Sequence, residues 1–206
     1  MVKLFVEGGG DAASLKTACR RAFSSFITKT GISKRPRIVA CGSREDAFRS
    51  YCTAIRNNEE AFLLVDSECA VSASHQNGAS DQWTPWEHLR SRDNWEMPGG
   101  GKQTDCHLMV QVMESWFLAD RTTLSHFFGQ GFQLTALPAL QTAVESISKQ
   151  QVYAALEKAT RSCRPKSSYA KGEHSFTLLE IIDSNKVLQA SPWAKRFVDE
   201  LCKKMT

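Results

Sequence analysis

Three short runs in the first third of the chain, VKLFV (2–6), RIVACG (37–42) and AFLLV (61–65), are apolar with little alternation. A strand with one wet face alternates polar and apolar residues, whereas a continuous apolar run is buried on both faces. Between the runs the period changes. Leu15, Ala18, Cys19, Ala22, Phe23 and Phe26 recur at helical spacing, with Lys16, Arg20 and Arg21 on the other side, and Ala47, Phe48, Tyr51, Cys52 and Ile55 form a second amphipathic stretch. Buried strands separated by such helices define a parallel sheet with right-handed crossovers. CHLMVQV (106–112) reads as a fourth strand running into a helical MESWFLAD (113–120). The fold class is therefore α/β, a mainly parallel four-stranded sheet flanked by helices.

Beyond residue 121 the strand signal stops. Leu140, Ala143, Val144 and Ile147 predict one helix, Val152, Leu156 and Ala159 another, and Phe176, Leu179 and Ile182 a third. Ser191 followed by Pro192 and the spacing of Ala194, Phe197, Val198 and Leu201 predict the last, with serine as N-cap and proline at the first helical position. Residues 69–102 hold Gly78, Gly99, Gly100, Gly101, Pro85 and Pro98 and no sustained period apart from a short helix at 86–90. The expected organisation is one domain over 1–206: an α/β core (1–125) carrying a 69–102 insertion, then a helical layer (126–206).

Other classes are excluded early. No apolar run approaches the ~20 residues of a membrane span, and the opening MVKLFVEGGGD lacks a signal-peptide pattern, so a cytoplasmic protein is expected. Seven cysteines, with no Cys-x-x-Cys and no paired histidine, read as reduced thiols rather than a zinc site. A net charge of +4 is compatible with nucleic acid without specifying it.

In open parallel sheets ligands bind beyond the carboxyl ends of the strands, and there this chain places acids. The first run ends in Glu7, then Gly8-Gly9-Gly10-Asp11; the third ends in Asp66-Ser67-Glu68; the fourth leads to Glu114 and Asp120. Carboxylates gathered on one rim repel one another unless cations neutralise them, and hard oxygen donors select Mg²⁺ or Mn²⁺. A Walker loop would need Gly-Lys-Ser/Thr, which is missing. A G-x-G-x-x-A dinucleotide fingerprint is present, but Glu7 and Asp11 would repel a pyrophosphate arriving without metal. Taken singly, Glu7 and Asp66 are ordinary strand-end caps; their coincidence favours a site.

An N-terminal strand ending in Glu-Gly followed by a strand ending in Asp-x-Glu resembles the TOPRIM domain of topoisomerases, primases and OLD-type nucleases. EGGGD (7–11), LVDSE (64–68) and MESWFLAD (113–120) together are more closely similar to the TOPRIM-like family called domain of unknown function 4276. The resemblance implies a Rossmann-like TOPRIM core, one or two Mg²⁺ (or Mn²⁺) ions and phosphodiester chemistry on nucleic acid. It makes Glu7 general acid/base or ligand, with Asp11, Asp66 and Glu68 as further metal ligands. It also implies the nuclease subunit of a bacterial anti-phage defence module working with a partner ATPase. The chain has no nucleoside-triphosphate motif of its own, and topoisomerase activity is not expected, because a separate tyrosine-bearing domain does not fit.

Supporting residues follow from that reading. Glu114 is a further metal-ligand candidate, and Lys171, in YAKGEHSF, is the candidate to hold phosphate oxygens, with His174 behind it as a structural residue. Trp83, Trp86 and Trp95 interleave with His88, Arg90, Arg92 and Lys102, a pattern able to stack bases and track phosphates, with Arg90, Arg92 and Lys102 as nucleic-acid contacts. The insertion reads equally as a lid whose tryptophans tuck onto the body. The competing function is a catalytically inactive module that docks on and regulates the ATPase. A homo-oligomer stays open.

Overall fold

The computed structural model describes residues 1–10 and 12–205. Its centre is a parallel sheet of β1 (Lys3–Gly9), β2 (Arg37–Gly42), β3 (Ala61–Asp66) and β4 (Cys106–Met109) in the order β2-β1-β3-β4. Val6 stands opposite both Ala40 and Leu64, and Leu64 opposite His107. All six residues of β3 are buried, as an unalternated run requires. The crossovers are α1 (Ala13–Lys29) and α2 (Arg44–Arg56). Ser43 caps α2 by accepting from the Asp46 amide, Glu45 and Asp46 sit in its first turn and Arg56 in its last, each sign matched to the helix dipole.

The sheet separates two apolar cores. On one side α1 meets the C-terminal layer, where Phe26 stacks on Trp116 with centroids 5.0 Å apart. On the other, Phe5, Leu63 and Val65 pack with Tyr51, Trp86, Leu89 and Trp193. The layer comprises α4 (Arg121–Phe128), α5 (Lys149–Thr160), α6 (Ser175–Ile181), α7 (Ser184–Ala190) and α8 (Pro192–Met205), with a two-residue antiparallel pair, β5 (Gly129–Gln130) and β6 (Arg164–Pro165). Ser191 caps α8 as expected, its Oγ accepting from the Ala194 amide at 3.1 Å.

Three segments depart from the sequence expectation. The fourth strand stops at Met109 rather than continuing to 112, and Met113–Ala119 is a 3₁₀ helix instead of an α-helix. This stretch is buried from Met113 to Leu118, and its first amide is taken by the Asp66 carboxylate, so tertiary contacts override the local period. The helix expected from Leu140 to Ile147 is absent. Leu140 is 81% exposed, and only a 3₁₀ turn, Val144–Ser146, forms. Glu145 turns inward instead, accepting from Ser191 Oγ at 2.5 Å and the Trp193 amide at 3.0 Å.

The insertion is an ordered cover. α3 (Pro85–Asp93) begins with Pro85 in its first turn, and Trp86 is buried. Trp95 stacks on Phe48 at 4.6 Å, and Trp83 packs on Trp193 at 4.8 Å. The tryptophans thus tuck onto the body, and base stacking on them is not what the fold provides. Arg196 of α8 fastens the cover from beneath. Fully buried, its guanidinium donates to the carbonyls of Ser80 (2.6 Å), Gln103 (2.8 Å) and Cys106 (2.8 Å).

Asp120 belongs to this scaffold rather than to the site. It caps α4 through the Thr123 amide and hydroxyl and joins α4 to α7 by accepting from the Asp183 amide at 3.0 Å and Lys186 Nζ at 2.7 Å. Burial alone would raise its pKa, but these donors, Lys186 foremost, bring it down to about 2. Its contribution to stability is therefore complete above the unfolded-state pKa near ~4 and is lost as pH falls through about 2. Asp120→Asn is expected to lower stability by about 2 kcal/mol at pH 7 and by much less near pH 2, measured by urea unfolding at both pH values.

Candidate functional site

Glu7, Asp66 and Glu68 meet at the carboxyl edge of β1 and β3, one oxygen from each lying within 4.8 Å of the others. β1 and β3 are paired as far as Val6 and Leu64, so the residues just beyond lie close together, and Glu7 Oε2 accepts from the Asp66 amide at 3.1 Å. Asp66 is 3% exposed, with Oδ1 accepting from the Met113 amide at 2.8 Å. Glu68 reaches the group by a turn rather than by strand pleating. Its backbone is left-handed (φ 67°), and the turn is pinned where the Ser67 and Glu68 amides donate to the carbonyls of Met109 and Gln111 at 3.0 and 2.7 Å. Asp11 lies outside the described residues.

Glu114 stands one layer behind. It is fully buried and accepts three hydroxyls: Tyr153 at 3.1 Å, Tyr169 at 2.9 Å and Ser175 at 3.2 Å. Among the described residues it is not one of the trio, but its charge faces Asp66 and it lines the same cavity. That cavity, about 220 Å³, is floored by Gly8, Gly9 and Gly10, walled by Met109, Met113 and Phe176, and entered by Lys171. Gly9 is required there, because at φ 92° an added Cβ would lie 2.9 Å from the Lys16 backbone.

The electrostatics are those of a crowded anionic site. Burial pushes the Asp66 carboxyl well above its usual range, and the Glu7 and Glu114 charges push it further. Burial also raises Glu7, against the lowering effects of the Asp66 amide and Arg44. Desolvation pulls the Lys171 ammonium down, but the carboxylates of Glu114, Asp66, Glu7 and Glu68 together hold it above an ordinary lysine. The loop carrying Lys171 is shaped by its neighbours. The Ala170 amide donates to His174 Nδ1 at 3.0 Å and the Gly172 amide to Ser175 Oγ at 3.3 Å, while the His174 ring sits among Phe127, Phe128 and Tyr169, a structural place as expected.

The structure places the three insertion cations apart from one another. Arg90 pairs with Glu87 on the outer face of α3. Arg92 pairs with Asp93 and stands 3.7 Å from Glu68, so it supports the acidic turn. Lys102 precedes β4 and therefore lies at the opposite end of the sheet, beside Glu59, Glu60 and Asp105.

The site also contains residues that the sequence pattern does not single out. Arg44 donates from Nε to the Asp66 carbonyl at 3.0 Å, makes a two-pronged pair with Asp93 at 2.8 and 3.0 Å, lies 3.6 Å from Glu7 and stacks over Trp95. Lys149 pairs with Glu68. Arg44 does carry a signal, since it follows Gly42-Ser43 at the carboxyl end of β2, and the strand-end rule extends to cations as well as acids. Lys149, Tyr153 and Tyr169 have no such marker, because only tertiary folding brings α5 and the 169–175 loop to the sheet.

Fold and site define a doubly covered, parallel α/β protein with an acidic rim at its carboxyl edge. The chain belongs to the family described as domain of unknown function (DUF4276), whose model matches residues 6–202. No curated protein and no solved structure matches it.

The charge on Asp66 works against the fold when no cation is present. Because its folded pKa is raised, the folded state holds the proton longer than the unfolded state, and stability falls as pH rises through the interval between the two values. In chelator, Asp66→Asn, which keeps an acceptor for the Met113 amide, is expected to be more stable than the unsubstituted chain at pH 8. The gain should shrink at pH 4, with urea midpoints as the readout; a variant less stable at pH 8 contradicts the placement of this charge.

Proposed function

We propose that this protein is a metal-dependent phosphodiester hydrolase, a TOPRIM-type nuclease that uses Mg²⁺ or Mn²⁺. The observation that carries the reading is the convergence of Glu7, Asp66 and Glu68 within 4.8 Å, beside a glycine-floored cavity entered by a lysine. The donor set fits a hard divalent cation: all three donors are carboxylate oxygens, and Glu7 and Asp66 are both driven toward protonation by burial in a site crowded with like charge. Glu7, Asp66 and Glu68 would hold the ion, Glu68 exchanging its contact with Lys149, and Glu114 would orient the group from behind. A bound divalent ion supplies Lewis-acid polarisation of the phosphoryl group and of attacking water.

The chain's own residues supply the rest. Gly8, Gly9 and Gly10 present no side chains, so a phosphate approaches the backbone closely. The Lys171 ammonium places a fixed positive charge where the non-bridging oxygens gather charge during reaction. Glu7, partly exposed with a raised pKa, is suited to take a proton from water and later give one to the leaving oxygen. Arg44 holds Glu7 and the Asp66 carbonyl in place by way of Asp93 and Trp95.

Regulation belongs to this reading too: a cytoplasmic effector subunit of a defence module, paired with an ATPase. The support is the likeness of EGGGD and LVDSE to OLD-type nucleases. Among the described residues, no helix is long and apolar enough to cross a membrane.

The test is cleavage of plasmid DNA and total RNA by the purified chain, alone and together with any ATPase that co-purifies with it. Activity is expected with Mg²⁺ or Mn²⁺ and not with chelator. Glu7→Gln should reduce turnover by about 10³-fold or more, and Lys171→Ala by about 10²–10³-fold, each with an unchanged circular dichroism spectrum. A chain inert with every metal and with its partner overturns the hydrolase and leaves the docking module.

A further inference from the structure

The net charge of +4 conceals a segregation of charge along the chain. Residues 12–43 contain Lys16, Arg20, Arg21, Lys29, Lys34, Arg35 and Arg37 and no acid. Residues 158–172 contain Lys158, Arg161, Arg164, Lys166 and Lys171, again with no acid. These two segments therefore hold 12 of the 26 lysines and arginines and none of the 22 acids. Exposed lysines and arginines are ordinary, and in soluble proteins they are usually interspersed with carboxylates. A stretch of one sign instead carries a positive potential that attracts anions.

The folded chain leaves most of this charge unanswered. Arg20, Arg21, Lys29, Lys34, Arg35 and Arg37 are exposed. Among the described residues only Arg21 meets a carboxylate, Glu180 at 2.7 Å. Arg20 and Arg35 instead rest on hydroxyls, Thr17 at 2.9 Å and Ser24 at 3.4 Å, and Lys29 on the carbonyls of Glu180 and Ile182. A groove of about 370 Å³ runs along the helix, lined by Arg21, Ser24, Ser25, Thr28, Lys29 and Arg35. Three cations and three hydroxyls line it with no large apolar side chain, Glu180 of α6 standing against Arg21 at its side, and these are residue types that contact phosphate oxygens.

Position links the groove to the site. α1 starts where the glycine floor ends, and Leu15 of α1 and Lys171 of the second basic segment both line the cavity. At ~1.5 Å per residue the 17-residue helix is about 25 Å long, the reach of about seven phosphates at ~3.4 Å spacing along one B-form strand. We propose that the acid-free face of α1, with the 34–37 loop, is the track on which the phosphate backbone of a nucleic acid lies as it enters the cavity. The track takes the role that sequence spacing gave to Arg90, Arg92 and Lys102. It rests on the hydrolase reading for its destination, but binding along it does not require chemistry.

The experiment is fluorescence anisotropy of the full chain with a labelled 20-nucleotide DNA, single-stranded and duplex, in chelator over a salt series. Arg20→Glu with Arg35→Glu is expected to weaken binding at least tenfold at low salt. It should also flatten log K against log salt by about 0.7–0.9 for each phosphate no longer neutralised. Arg20→Gln with Arg35→Gln should give a smaller loss in the same direction, and Arg90→Glu with Lys102→Glu less than a twofold change. Folded α1 variants that bind as tightly as the unsubstituted chain overturn the track. So does displacement of the DNA by polyglutamate as readily as by unlabelled DNA, which marks an acidic protein as the partner. A chain that binds through α1 but cuts nothing overturns the hydrolase and leaves the track. One that cuts with unchanged KM after the α1 substitutions does the reverse.

Discussion

Mutual repulsion among Glu7, Asp66, Glu68 and Glu114 is the constraint around which the surrounding structure is arranged. Four carboxylates meet at one edge of the sheet, one of them fully buried and another nearly so. Each is restrained by a different device. Asp66 is held by a backbone amide, Glu7 by the Asp66 amide and Arg44, Glu68 by Lys149 and Arg92, and Glu114 by three hydroxyls. These partners come from α2, α3, α5, the start of α6 with the loop before it, and the 3₁₀ helix after β4, so elements from across the chain contribute to confining the acids. Burying like charges costs stability, and clusters of strongly perturbed carboxyls are a mark of functional sites.

The insertion is best understood through that demand. Arg44 connects the rim to Asp93 and Trp95, His88 Nε2 lies 2.9 Å from the Ser67 carbonyl, and Arg92 approaches Glu68. The insertion thus braces all three residues of the Asp66-Ser67-Glu68 turn. Trp95 and Arg92, which in sequence belong to a pattern resembling a nucleic-acid surface, stand against Arg44 and Glu68 and so help to set the position of two acids.

Much of this is legible in the sequence where local pattern and tertiary demand agree. Unalternated runs mark the strands, and the strand-end rule marks Glu7, Asp66 and Glu68. Serine before proline marks the start of α8. Where the two conflict, local pattern misleads. Leu140 to Ile147 has a helical apolar period, yet Glu145 is drawn inward to the start of α8, and Leu140 faces solvent. Residues 113–119 have helical composition but are wound as a 3₁₀ helix against Asp66. Arg90, Arg92 and Lys102 are adjacent in pattern but divided in space, because a residue before a strand and a residue after one lie at opposite edges of a parallel sheet. Lys149, Tyr153 and Tyr169 needed long-range contacts that no spacing announces.

Arg196 has a wider consequence. A single guanidinium bound to carbonyls of Ser80, Gln103 and Cys106 ties the beginning and the end of the insertion to the C-terminal helix. A segment held in this way is scaffolding for the Asp66-Ser67-Glu68 turn. Among the described residues, none of the insertion lines the cavity, so the C-terminal helix acts on the acidic edge at one remove, as an anchor for what holds Asp66 and Glu68 rather than as a wall of the opening.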